Sequence, residues 1–273
     1  MLVFSLTPRP TVLKPGDRVR LRMVQPRVLC KPYTAVAPHY DRITGLVDFR
    51  RVRRAFEFVA RKYGFQFRSA VDIGCGTGLF ACYLHRRWNS KVFAVDRSPE
   101  MLSIAARRCA SPDVHYLCQD FKNLCLPCKV DLATANTFTL NHVMDLAEMY
   151  RVFARVRNHL VPGGHLYFDL LTDRQPGQLS RHHVRPLAVP GQIIFQKTHW
   201  NPRNRTLSIS IMQSSVNTGA VTAESYVGRG YSLLEVGECL IRSGYRIRGI
   251  HDKTTLAPAS STSSQVVVLA VRN

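Results

Sequence analysis

Phe49, Val52, Phe56, Val59 and Tyr63 recur at steps of three and four, the spacing of one face of an α-helix, and Gly64 follows as a C-terminal stop. Beyond Gly64 the period changes. Four short apolar runs read as buried strands: AVDI (70–73), KVFAVD (91–96), VHYLCQD (114–120) and KVDLATAN (129–136). The first three alternate with LFACYLHRRW (79–88) and SPEMLSIAARRC (98–109), which keep helical spacing, with Ser98 as N-cap and Pro99 at the first helical position of the second. Leu146, Met149, Tyr150, Phe153, Val156 and Leu160 mark one more helical face, closed by VPGG before a fifth strand, HLYFDLL (165–171). Strands that alternate with helices predict right-handed crossovers and a mainly parallel sheet.

Residues 174–228 break that rhythm. QIIFQKTHW (192–200) and TLSISIMQ (206–213) alternate at period two around the turn formers NPRNR, which predicts an antiparallel insertion laid over the sheet. Helix and strand then resume: SLLEVGECLIRSG, capped by Ser232 and ended by Gly244, precedes RIRGIHD (246–252) and SQVVVLAVR (264–272). The expected fold is α/β, a Rossmann-like, mainly parallel seven-stranded sheet with helices on both faces and an antiparallel β insertion. Residues 1–30 show no periodicity and many turn formers, so they read as a basic, disordered extension to a domain spanning 31–273, within which 174–228 is a substrate-side insertion.

Composition narrows the class. Of the 273 residues 45% are hydrophobic and 21% charged, and no apolar stretch reaches the roughly 18 residues of a membrane span, so a soluble, cytoplasmic protein is expected. The N-terminus lacks the basic segment and sustained apolar core of a secretory signal. The net charge of +20 is uneven: residues 1–70 carry +11, 71–170 carry +2 and 171–273 carry +7. Basic flanks can attract nucleic acid, but aromatics are not interleaved with them as in single-strand binders, so RNA is the secondary reading of the substrate. Eight cysteines are scattered as in a reduced protein, and Cys125 and Cys128 have no second ligand pair, so no metal is expected.

Chemistry concentrates in SAVDIGCGTGLFAC, where Gly74, Gly76 and Gly78 follow a strand that carries Asp72. No Lys-Ser or Lys-Thr follows, which excludes a nucleoside triphosphate loop of the Walker kind. Asp72, Asp96 and Asp120 sit at the ends of successive strands, where an open α/β sheet leaves its crevice. Backbone amides of the glycine turn can meet an anion there, and Asp96 is placed to accept hydrogen bonds from both hydroxyls of a ribose. His142, on the loop NTFTLNHV after the fourth strand, is the candidate proton acceptor of the reaction.

VDIGCGTG, VFAVDRSPEML, CQDF and LVPGGHLYFD, in that order, resemble the successive motifs of the class I S-adenosylmethionine-dependent methyltransferases, from about Tyr33 to the C-terminus. PYTAVAPHYD, NTFTLNHV and ESYVGRGYSLLEVGECLIRSGY are further similar to the small-molecule branch that includes amino-sugar N-methyltransferases. The resemblance implies S-adenosyl-L-methionine as cofactor, with the three glycines flanking its methionine part, Asp96 on the ribose, Asp120 and Phe121 at the adenine edge, and Asp72, Tyr33, Met101 and Asn136 completing the site. It implies methyl transfer to a nitrogen or oxygen of a small-molecule acceptor. Phe138 departs from many relatives, which carry an acid just before the TLN segment.

Overall fold

The computed structural model describes residues 28–174 and 184–273; the predicted extension therefore lies outside the described residues as far as residue 27. In chain order the elements are β1 (Val28–Leu29), α1 (Leu46–Tyr63), β2 (Ser69–Ile73), α2 (Leu79–Trp88), β3 (Lys91–Asp96), α3 (Pro99–Arg108), β4 (Val114–Cys118), β5 (Val130–Ala135), α4 (Leu146–Asn158) and β6 (Leu160–Leu171). There follow β7 (Val184–Val189), β8 (Gln192–Asn201), β9 (Thr206–Ser215), β10 (Val221–Arg229), α5 (Leu233–Arg242), β11 (Tyr245–Asp252) and β12 (Gln265–Arg272).

The main sheet has seven strands in the order β11-β12-β6-β5-β2-β3-β4, with β12 the one strand that runs against the others. Its period-two alternation feeds two separate cores. Val71, Phe93, Val95, Phe168 and Val268 point to the face covered by α4 and α5; Ala70, Val92, Ala94, Tyr167 and Leu269 point to the face covered by α1 and α2. Phe56 of α1 is fully buried on the second face, edge-on to Phe80 at 5.3 Å and to Tyr167 at 5.0 Å. Truncating such a residue to alanine typically costs about 3–5 kcal/mol.

Helix ends follow their caps. Ser98 accepts a hydrogen bond from the Met101 amide, and Ser232 and Glu235 form a reciprocal capping box at the start of α5. Helix α4 stops at Asn158, two residues before the predicted end, because Leu160 and the VPGG segment belong to the long strand β6.

Strands β1 and β7–β10 make a second, five-stranded sheet in the order β1-β10-β9-β8-β7. Sequence patterning predicts β8 and β9 but not β1, β7 or β10. Val28 and Leu29 pair in parallel with Thr222 and Ala223, so the sheet already takes up chain ahead of residue 31. Arg205 and Arg229 of this sheet both reach Glu235 of α5 at 3.2 Å, which ties the insertion to the point where the chain re-enters the main fold.

Candidate active site

A cavity of about 320 Å³ opens at the carboxyl ends of β2, β3, β4 and β5. Ten of the eleven residues singled out from sequence line it; Gly78 does not. Gly78 has φ 78°, and a Cβ there would stand 2.7 Å from the Ala105 side chain, so this glycine lets α2 pack on α3. Gly74 has φ 66°, and its missing Cβ would lie 2.6 Å from Thr139, so the glycine loop presses directly on the loop after β5.

The carboxylates at the strand ends do different things. Asp96 accepts from the Gly76 amide at 2.8 Å and from the Ser98 amide at 2.9 Å, so it braces the glycine loop itself. Burial raises its pKa, against the pull of those two amides. Two oxygens offer about four lone-pair sites, so acceptor capacity remains for further donors. Asp72 is fully buried; one oxygen accepts from Thr134 at 2.8 Å and the other has no partner among the described residues. Burial, assisted by the nearby Asp96 charge, pushes its pKa up to about 7. Both amide atoms of Asn136 are likewise buried without a partner among the described residues. Asp120 turns one oxygen to the Lys122 amide at 2.9 Å, and Phe121 starts the short helical turn that follows.

The other half of the cavity is aromatic. The Tyr33 hydroxyl lies 2.9 Å from His142 Nε2, and the Tyr33 ring stacks on Tyr226 of β10 at 4.7 Å. With the ring neutral, the nitrogen facing Tyr33 can accept from its hydroxyl. Burial lowers the His142 pKa to about 4, and the positive charges of Arg97 and Lys122 push in the same direction. Histidine at this depth is a weak base.

Tyr33 is held from three sides. Glu224 of β10 accepts from the amides of Tyr33 (3.2 Å), Ala35 (3.0 Å) and Val36 (3.3 Å). The Tyr33 carbonyl accepts from the Ser98 hydroxyl at 3.2 Å. Further along, Asp41 pairs with Arg108 and accepts from the Thr77 hydroxyl at 2.6 Å, fastening the segment over the glycine loop.

Comparison with known proteins matches residues 70–164 to a methyltransferase domain, the span from β2 through the start of β6 that carries the glycine loop and all three carboxylates. The chain is 24% identical to the cypemycin N-terminal methyltransferase of a Streptomyces species, over 75% of this chain and 83% of that protein. It is 33% identical to a trans-aconitate 2-methyltransferase of Escherichia coli, over 42% of this chain and 43% of that enzyme. This chain carries a methyltransferase domain.

Solved structures show how far the fold of this methyltransferase extends. An S-adenosylmethionine-dependent methyltransferase from Clostridium acetobutylicum superposes with a TM-score of 0.73 at 22% identity, covering 88% of this chain and 99% of that one. A sugar N-methyltransferase from Streptoalloteichus superposes with a TM-score of 0.66 at 19% identity, covering 96% and 100%. An amino-pentose methyltransferase from Micromonospora, solved with S-adenosylmethionine bound, superposes with a TM-score of 0.61 at 18% identity, covering 88% of this chain and 97% of that one. Among the described residues no group of histidine, cysteine and acidic side chains could hold a metal ion, and no helix is long and apolar enough to cross a membrane.

Sequence reasoning did not single out Arg97, Gln119, Thr139 or Tyr226, which line the same cavity, nor Glu224 behind it. Arg97 carries a readable signal, since it follows Asp96 at a strand end. Tyr226 and Glu224 depend on the register of β10, which no local pattern reveals.

Proposed function

We propose that this methyltransferase methylates a nitrogen of a small-molecule amine, and that the aromatic half of the cavity is the acceptor site. The carrying observation is that His142, the titratable side chain hydrogen-bonded to Tyr33 there, is too weak a base to take a proton from a hydroxyl. The lining carboxylates Asp72, Asp96 and Asp120 sit at the strand ends, and Glu224 is engaged by three backbone amides. A hydroxyl acceptor would need a base to become a nucleophile. A neutral amine needs none: its lone pair forms the new nitrogen–carbon bond as the sulfur–carbon bond breaks, and the resulting ammonium gives its proton to solvent. Arg97 and Lys122 favour the neutral amine over the ammonium by the same repulsion they exert on His142.

S-adenosyl-L-methionine supplies the electrophilic methyl group when bound. Asp72 and Asn136 have unmet hydrogen-bonding capacity suited to an ammonium and carboxylate pair, Asp96 suits the ribose, and Asp120 with Phe121 the adenine edge, with Met101 in the same lining. His142 then serves as a fixed acceptor that orients Tyr33, whose hydroxyl oxygen is left to meet the incoming amine, rather than as the proton acceptor expected from sequence. The amino-pentose methyltransferase and the sugar N-methyltransferase among the structural neighbours support an amine acceptor, as does the cypemycin N-terminal methyltransferase among the relatives.

The test pairs an amino sugar with its hydroxyl counterpart in the presence of cofactor labelled on the methyl group. Label is expected in the amine alone, and His142→Gln, which keeps a hydrogen-bond acceptor, is expected to retain turnover within about tenfold. Label in the hydroxyl compound, or in RNA bound with a steep salt dependence of about 0.7 in log affinity per phosphate contact, overturns the reading.

A further inference from the structure

Two residues in succession, Thr137 at φ 55° and Phe138 at φ 61°, take the left-handed conformation that ordinarily calls for glycine. For a β-branched threonine this is a genuine outlier, and it persists only where surrounding groups enforce it. The enforcing group is one carboxylate. Asp169 of β6, with no solvent exposure, accepts from the Thr137 amide at 2.8 Å through Oδ2 and from the Phe138 amide at 2.7 Å through Oδ1. Its charge is balanced by Lys253, from the connection between β11 and β12, whose Nζ lies 2.6 Å from Oδ2 and 4.8 Å from the Phe138 ring centroid. Neither Asp169 nor Lys253 lines the cavity, yet the turn they hold does. Asn136 precedes it, Thr139 follows it and donates to the Asn136 carbonyl at 2.7 Å, and His142 closes the short helix beyond.

We infer that Lys253 and Asp169 are positioning residues for methyl transfer, which hold the turn after β5 in its left-handed form and thereby set Asn136 against the cofactor's methionine part and His142 against the acceptor. This rests on the reading of the cavity as the methyl-transfer site. A purely structural ion pair would stabilise the sheet without regard to the backbone of residues 137 and 138. A positioning device acts through that backbone. Its loss should therefore be offset when the turn needs no enforcement.

The experiment is a double-mutant cycle between Lys253→Met and Thr137→Gly, read by turnover and by binding of S-adenosylhomocysteine and of adenosine, which lacks the methionine part. Lys253→Met in the native background is expected to lower turnover about thirtyfold and S-adenosylhomocysteine affinity about tenfold, with adenosine affinity within about twofold. With Thr137→Gly already present, the same change is expected to cost about threefold or less, because glycine adopts the left-handed form unaided. Lys253→Arg should restore most of the loss by keeping the charge. If Lys253→Met does not fold, Asp169→Asn, which keeps one acceptor oxygen, takes its place in the cycle with the same glycine rescue expected. Equal losses in both backgrounds, or S-adenosylhomocysteine binding and turnover untouched by both Lys253→Met and Asp169→Asn, overturn the inference. Failure of the unmutated protein to bind S-adenosylhomocysteine would instead overturn the reading of the cavity on which it rests.

Discussion

The two halves of the cavity are built by opposite strategies. The half proposed for the cofactor is assembled largely from the ends of adjacent parallel strands, so Asp72, Asp96 and Asp120 arrive together as soon as β2, β3 and β4 pair. The half proposed for the acceptor joins Tyr33 from the N-terminal segment, His142 from the loop after β5 and Tyr226 from the added sheet. The first is positioned by regular backbone; the second is positioned by side chains that hold irregular backbone. Chemistry that needs only a fixed cradle can rest on strand ends, while selectivity is carried where sequence can change without disturbing the sheet.

The comparison breaks most visibly at Glu224. Glu224→Ala removes the acceptor for three backbone amides and is expected to lower kcat/KM for the acceptor about a hundredfold or more, with cofactor affinity within about threefold. Steady-state kinetics and calorimetry on one preparation check both numbers; equal losses in the two would show that the halves are not separable.

Asp96→Ala tests the opposite half. Cofactor affinity should weaken by about 1.5–3 kcal/mol, and acceptor KM should stay near its original value once cofactor is saturating. An unchanged dissociation constant in a protein with native circular dichroism would remove Asp96 from the site.

A smaller effect sharpens the electrostatics. With the Asp72 pKa raised from 3.8 to about 7, the folded, unliganded protein keeps a proton that the unfolded chain has released, so it loses stability as pH rises through that window. A cationic ligand group at Asp72 needs the ionised carboxylate, so binding below about pH 7 must first expel the proton. Cofactor affinity is therefore expected to rise about tenfold from about pH 6 to about pH 8, and Asp72→Asn should flatten the dependence. Titration calorimetry in buffers of different ionisation enthalpy reads the proton release directly.

What could be read from the sequence follows the same division. The main sheet follows from short apolar runs alternating with helical spacing, and the glycine turn and the acids Asp72, Asp96 and Asp120 from their place at strand ends, whereas Tyr33, Met101, Phe121 and Asn136 rested on the resemblance to a known family. Strand β1 was invisible because two residues carry no period, and Glu224 because a lone acid in an alternating strand looks solvent-facing until its register is known. The left-handed pair Thr137 and Phe138 gave no signal either, since both are poor choices for that conformation and are forced into it by Asp169 from 31 and more positions away. His142 was located correctly on its loop; its basicity was not legible, because burial and Arg97 set it.

The hydrogen bond between the Tyr33 amide and Glu224 spans 191 positions of chain. On a ribosome adding about 5–20 residues per second, roughly 10 to 40 s separate the emergence of its two ends, long after β2 to β6 have the means to pair. The N-terminal segment must wait beside an already formed cradle, its tyrosines unpaired with the sheet that will seat them. Nascent chains should therefore present the strand-end carboxylates well before the acceptor half is assembled.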